Sequence, residues 1–440
     1  MQKQIIFTVV LLATLGVFSY TALRLLRFFQ LTKAAFPVKN TGRRLALTMK
    51  VAFGQSKMFR MPVIGLLHAL VFWGFCVILI GSIEMIIDGL AGTDRVLRFL
   101  GVVYDVIIAS GDIFALLVTL SITVFLARRL FFHIGRFEGR EMKRASHIDA
   151  NIALTLILLL MLTLLGMNSA YFAYSAGNGN EIAGVFPVSS LLAQLYGAAD
   201  RAAIYKWHEI FWWSHIVLIF IFANILPYSK HFHVFMSIPN VYLSRLSPLG
   251  KLVNMDNVTR EVKLMLDPET AFSAAPENEQ AERFGLKDIE DVTWKNYLDS
   301  LSCTQCGRCT AACPASITGK MLSPRKIIMD VRSRMNEKGP GMLGKGRDYD
   351  DKKSLLRDYI TEEELWACTT CNACAEECPV NINHPEIIIE MRRYLVMEEG
   401  QAPGEIKAVF NNIENNGAPW QYSSEDRMRW AENIELAGNK

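Results

Sequence analysis

Two stretches of this chain, "CTQCGRCTAACP" (303–314) and "CTTCNACAEECP" (368–379), share the pattern C-x2-C-x2-C-x3-C-P and contain eight of its nine cysteines. Three thiolates two residues apart can line one tight loop and hold three irons of a cubane. The fourth iron points away and takes its ligand from elsewhere, and the cysteine preceding the proline ligates the other cluster. One [4Fe–4S] set is therefore Cys303, Cys306, Cys309 and Cys378; the other is Cys313, Cys368, Cys371 and Cys374. A zinc ribbon uses paired C-x2-C units and gives the third evenly spaced cysteine no role. The cradles start 65 residues apart, yet neither is complete without the other. Between them "LSPRKIIMDVRSRMNEKG" (322–339) reads as a helix, and "YITEEELWACTTC" runs helically towards the second cradle. The expectation is a mostly α-helical, dicluster ferredoxin-like domain.

The first half of the chain is of a different character. Apolar runs such as "IIFTVVLLATLGVFSYTALRLL" (5–26) and "IALTLILLLMLTLLGMNSAYFAY" (152–174) reach membrane-spanning length. Five spans are expected near 5–26, 63–88, 102–127, 150–174 and 208–229, forming an all-α transmembrane bundle. The connection 27–60 carries eight lysines and arginines and no acid, and 128–147 is also basic, whereas 89–101 and 175–206 are nearly balanced. The positive-inside rule places the basic connections in the cytoplasm, the N-terminus outside and the cysteine domain in the cytoplasm. The charges of the first span follow its apolar run and no small-residue cleavage site comes after, so it does not read as a cleaved signal. A reducing compartment agrees with thiols reserved for metal. Cys76, alone in the second span, reads as packing.

The expected organisation is a five-span membrane domain (1–237), a linker (238–285), the dicluster domain (286–400) and a C-terminal docking tail (401–440). The cradles imply electron transfer. No G-x-G-x-x-G or phosphate-binding glycine run is present, and no cysteine, serine or lysine is placed as a nucleophile.

Electrons carried to a membrane need a carrier within it, and ionisable residues inside spans are functional candidates. His68 lies early in span two. His208, His215 and His233 are spaced 7 and 18 residues apart, which at about 100° per residue places them on one helix face, with Pro227 able to blur the register. Trp207, His208, Glu209 and His215 form an outer-half cluster able to exchange protons with a quinone, although tryptophans there also suit an ordinary interfacial belt. His133, His147 and His231 read as interface positions among arginines.

An N-out domain of five spans with His68 early in span two and "PYSKHFH" closing span five resembles the cytochrome b (gamma) subunit of respiratory nitrate reductase. The resemblance implies haem b on His68 and His233, with His215 matching one ligand of a second haem. The partner expected ten residues after His68 is Ile78, which cannot ligate. The soluble half resembles the ferredoxin-like subunit of heterodisulfide reductase. The fusion, with the tail "VFNNIENNGAPWQYSSEDRMRWAE" (409–432), resembles membrane-bound iron–sulfur oxidoreductases that pass electrons from electron-transfer flavoprotein to menaquinone. In those proteins a similar tail leads to cysteine-rich domains of the C-C-G type, whose motif is absent here. The resemblance thus implies a quinone-linked respiratory electron-transfer subunit in the bacterial inner membrane, an oxidoreductase subunit using menaquinone or ubiquinone. Its expected partner is a separate C-C-G-type subunit or electron-transfer flavoprotein, and nucleic acid is not expected. The alternatives are a quinol-fed reductase of a disulfide or sulfur compound, and a non-catalytic anchor for a soluble iron–sulfur partner.

Overall fold

The computed structural model describes residues 2–179, 181–197, 199–267, 283–432 and 434. Every regular element among these residues is helical, with two isolated β-bridges and no strand. Five helices are long and apolar enough to cross a membrane. They are α1 (Gln2–Phe28), α2 (Pro62–Ala91), α3 (Val102–Phe131), α4 (Arg144–Gly177) and α5 (Arg201–Ile225). Their outward faces carry exposed side chains such as Ile5, Leu12, Val63, Leu66, Leu120 and Leu162. An apolar exterior on helices whose backbone groups are satisfied internally is what lipid demands.

Close packing inside the bundle uses small residues, because apolar side chains gain little by leaving lipid for one another. A Cβ added to Gly74 of α2 would stand 2.6 Å from Val118 of α3, and one on Gly166 of α4 would stand 2.9 Å from the Phe211 ring of α5. The far end of the bundle is tied by buried acids. Asp112 accepts from the backbone N–H groups of Val188 (2.7 Å) and Ser189 (2.9 Å), and Glu84 accepts from that of Leu97 (2.9 Å).

Pro227 ends α5. Two 3-10 turns follow, Leu226–Tyr228 and Lys230–Phe232, before α6 (His233–Tyr242). The expected common face for His208, His215 and His233 is therefore broken: His233 begins a different helix. A ring without a backbone N–H explains the break.

The cysteine domain is built on α7 (Trp294–Ser302), α8 (Pro324–Lys345) and α9 (His384–Arg393). The helix expected between the cradles is α8, capped by the Ser323 side chain. The helix before the second cradle is short, Glu362–Trp366, closed by a capping box from Thr361 to Glu364.

The two halves share a core. Leu25, Phe28 and Leu31 at the end of span one, with Leu226 and Phe232, pack in one buried cluster with Tyr297, Ile327, Val331, Met335 and Leu395. Lys33 pairs with Thr293 in a short parallel bridge, with Lys33 N–H donating to Val292 O and Trp294 N–H to Lys33 O, both at 2.9 Å. The fully buried Arg325 pairs with Glu141 (2.7 Å) and donates to the carbonyls of Arg136 (2.7 Å) and Glu138 (2.6 Å). Both basic connections thus meet the cysteine domain.

Candidate functional site

The two cradles repeat in backbone as well as in sequence. Gln305 and Thr370, each before a second cysteine, have φ of 56° and 55°; Gly307 and Asn372, each after it, have φ of 75° and 62°. Left-handed conformations at non-glycine residues cost roughly 1–2 kcal/mol apiece, so tertiary structure must hold them. At Gly307 a side chain is also excluded sterically, since a Cβ would lie 2.2 Å from Arg136 O.

Cys303, Cys309, Cys313, Cys374 and Cys378 are buried, Cys306 and Cys368 half-buried, and Cys371 exposed. Cys378, although it comes from the second cradle, lies within electrostatic reach of Cys306 and Cys303. Cys313, from the first, lies within reach of Cys368 and Cys374. Burial, with the neighbouring sulfurs adding to it, pushes the Cys378 and Cys374 thiols up to about 12. Burial, partly offset by a bond from the Gln305 backbone N–H, takes Cys303 up to about 11. Such thiols ionise only when a bound cation compensates them. Among the described residues no three His, Cys, Asp or Glu side chains close round a single-ion site. A tetrahedral zinc site would need sulfurs about 2.3 Å from one centre. The spread, crossed arrangement fits a cubane, whose four irons each take one sulfur.

Beside the first cradle an inner cavity of about 440 Å³ opens into the bundle. His68 of α2 and His233 of α6 both line it, with ring centroids 6.5 Å apart and ring planes 30° apart. Two metal–imidazole bonds of about 2 Å in line, plus about 1 Å from each nitrogen to its ring centre, give roughly 6 Å. The pair thus fits a metal held from both sides. The other ring nitrogens are occupied: Nδ1 of His68 meets Gln55 Oε1 at 3.2 Å, and Nδ1 of His233 meets Lys230 O at 3.2 Å. Burial lowers the pKa of His233 from its usual value, keeping the imidazole neutral. Apolar walls from Phe72, Phe125 and Phe222 give way to a basic rim of Arg128, Arg129, Arg136 and Lys230, and the cavity reaches Cys306 and Pro379. Cysteine loop and histidine pair face the same space.

His231 lines this cavity too, which corrects its reading as an interface residue; the 3-10 turn at Lys230–Phe232 swings it inwards beside His233, with ring centroids 6.0 Å apart. His133 is exposed and pairs with Glu138 (3.2 Å). Gln55, Lys57 and Arg136 belong to no motif, and only tertiary structure brings them to the site; Lys230 stands in the "PYSKHFH" stretch that carries His233.

An outer cavity of about 320 Å³ lies nearer the far end of the bundle and brings His208, Glu209 and His215 together, with Glu84, Asp88 and Arg95. Nδ1 of His208 meets Met167 O at 3.2 Å, and Nδ1 of His215 meets Leu160 O at 2.9 Å and Thr163 Oγ1 at 3.0 Å. Glu209 is paired with Lys3 (2.8 Å), joining α5 to α1. Trp207 is half exposed and stacks on Phe211, outside the cavity lining. His215 and Ile78 line both cavities, so the wall between them is one side chain thick.

Comparison with known proteins adds to this geometry. Residues 302–382 match the family described as "4Fe-4S dicluster domain". The chain is 31% identical, over 97% of its length and 60% of the relative's, to the "Probable iron-sulfur-binding oxidoreductase FadF" of Bacillus subtilis. It is 29% identical, over 86% of its length and 52% of the relative's, to the "EtfAB:quinone oxidoreductase" of Syntrophomonas wolfei. A segment covering 23% of this chain is 38% identical to 49% of one polypeptide of the ferredoxin/F(420)H(2)-dependent CoB-CoM heterodisulfide reductase of Methanosarcina acetivorans. The chain spans between half and two thirds of the length of the first two relatives. No solved structure matches.

Proposed function

We propose that this chain is the membrane-embedded electron-transfer subunit of a quinone-linked oxidoreductase. Cys303, Cys306, Cys309 and Cys378 hold one [4Fe–4S] cluster, and Cys313, Cys368, Cys371 and Cys374 hold the second. His68 and His233 hold a b-type haem. When bound, these groups supply one-electron carriers in series between a redox partner and the quinone pool. The observation that carries the reading is the inner cavity, which has Cys306 at one end, the His68/His233 pair in its wall and His215 at the boundary with the outer cavity.

The chain's own side chains do the rest. The phenylalanine walls exclude water, and the basic rim offers partners for acidic groups of a bound macrocycle. Nε2 of His208 and of His215, left free by the Nδ1 bonds, are placed to give or take protons at a quinone headgroup in the outer cavity. Ile78 faces this space as a hydrocarbon, which favours a quinone there over a second haem.

The basic connections 27–60 and 128–147 pack against the cysteine domain through Lys57, Arg60 and Arg136, so all three lie on one side of the bundle. The positive-inside rule makes that side the cytoplasm of a bacterial inner-membrane protein. The partner is a separate redox subunit, a cysteine-rich protein or a flavoprotein, docking on the tail. There α10 (Gly404–Asn416) buries none of its residues and exposes Val409, Phe410 and Ile413, followed by Trp420 and Trp430.

A visible spectrum of the purified protein, taken before and after a quinol and then dithionite, tests the proposal. A reducible b-type band that disappears in His68→Ala and in His233→Ala is expected; no such band would sink the haem assignment. Retention of a cysteine-rich or flavin-bearing protein that is lost when residues 404–434 are deleted tests the docking.

A further inference from the structure

The two cradles are unlike in their electrostatic surroundings. Around the inner set, Lys57 Nζ donates to Cys378 O at 3.2 Å. Lys230 Nζ donates to Ser146 O (2.5 Å) and to Oε1 of Gln305 (3.3 Å) inside the first cradle. Arg332 donates to the carbonyls of Pro227 (3.0 Å) and Ser229 (3.3 Å). Arg136 lines the cavity with Cys306; it touches Met61 Sδ (3.1 Å), and its buried Nε has no partner. Each of these four cations is bonded to neutral atoms. The carboxylates within their electrostatic reach are shared: Asp149 also faces Arg129, and Glu376 is paired with Arg60. Positive charge is therefore left over. By contrast Arg308 and Arg325, also close by, are neutralised by Glu377 (2.9 Å) and Glu141 (2.7 Å).

The outer set has Arg392, which donates to Cys368 O at 2.5 Å; of the glutamates that flank it in sequence, Glu362, Glu364, Glu376 and Glu377 are each paired with a cation. Its Cys371 is exposed.

We propose that this asymmetry poises the inner cluster, on Cys303, Cys306, Cys309 and Cys378, at a higher reduction potential than the outer one, so that electrons entering at the exposed cradle run towards the membrane. The inference rests on the cluster assignment above and adds a direction to it. Each reduction adds one electron, hence one negative charge, to a cluster already anionic through its four thiolates. Unpaired cations, four around the inner set against Arg392 at the outer, stabilise that charge. Burial of the inner set acts the other way, since water favours the more charged state. The cations, however, are themselves largely buried, where attraction is least screened. One electron passes at a time: the outer cluster is oxidised as the inner is reduced, and the quinone pool is the final oxidant.

A redox titration of the purified full-length protein followed by electron paramagnetic resonance is the test. Two midpoints are expected, separated by at least a tenfold equilibrium constant, about 59 mV for one electron. Lys57→Met and Lys230→Met each shift the upper midpoint downwards several-fold in that constant, the matching arginine variants restore it, and Arg392→Met lowers only the lower midpoint. A single shared midpoint, or lysine variants that move the lower one, overturns the proposal. Should Lys230→Met lose iron, Lys57→Met and Arg332→Met decide it alone. The readout needs neither haem nor quinone, so it fails or succeeds separately from the membrane assignments.

Discussion

Nδ1 of His68 stands 3.2 Å from Oε1 of Gln55, and the amide nitrogen of Gln55 donates to the carbonyl of Ala52. The second bond fixes which way the amide faces. Its oxygen must accept from the imidazole, so Nδ1 carries the proton and Nε2 keeps its lone pair for a metal. Gln55 occupies a left-handed backbone position (φ 51°) just after the π-turn Met49–Phe53, outside any motif.

Removing that acceptor frees the ring to rotate. Gln55→Leu is expected to weaken haem retention by about 10- to 100-fold, in line with other partners of ligating histidines. Gln55→Glu, which makes His68 a more basic ligand, is expected to retain the haem and lower its midpoint. Spectra recorded at poised potentials check both; an unchanged midpoint in the two variants would remove Gln55 from the site.

Crossed ligation makes a sharper claim about Cys378. Serine there is expected to abolish the same resonance signal as Cys309→Ser, and a different one from Cys374→Ser, although Cys374 and Cys378 share a cradle. Iron content should fall from about eight per chain in each variant. If Cys378→Ser behaves like Cys374→Ser, each cradle holds its own cluster.

The Arg325–Glu141 pair ties the second basic connection to the cysteine domain, with side chains 1% and 5% exposed. Breaking one side leaves a buried carboxylate without its cation. Arg325→Met is expected to cost about 3–5 kcal/mol, and the double change with Glu141→Leu less than the single one. Thermal unfolding in detergent, followed at the cluster absorbance, gives the comparison; an additive double mutant would show that the two charges act independently.

Asp351 answers to pH. Its bond with the buried Arg334 (2.6 Å), the largest cause, holds the carboxyl down at about 2. A depressed folded value means stability that is fully present above the unfolded pKa of about 4 and lost as pH falls towards 2. Solvent screening leaves about 1–2 kcal/mol of this. Asp351→Asn should flatten the acid limb of the unfolding curve over that window, and an unchanged limb would assign it to other carboxylates.

The spans and the cradles were legible because each rests on a local signal, an apolar run or a cysteine spacing. The crossed pairing of Cys313 and Cys378 is expected from the reach of a short loop, and the proximity of Cys378 to Cys303 and Cys306 is in keeping with it. The break after α5 was hard to place: a proline announces itself, but not where His231 and His233 point after two 3-10 turns. Lys57 and Arg136 carried no signal of a role at a cluster. They read as topogenic charge, and only the meeting of segments far apart in the chain shows that they also surround a cluster.

The core that joins the two halves has a bearing on how the molecule is made. It begins with Leu25, in α1, and closes with Leu395, beyond the second cradle. Such long-range closure comes late in folding. The core beneath the cradles is therefore expected to close only once the chain has been made through Leu395. A fragment 283–400 expressed alone would present Tyr297, which packs on Phe28 and Phe29, to water in place of span one, and is expected to aggregate before it can be loaded.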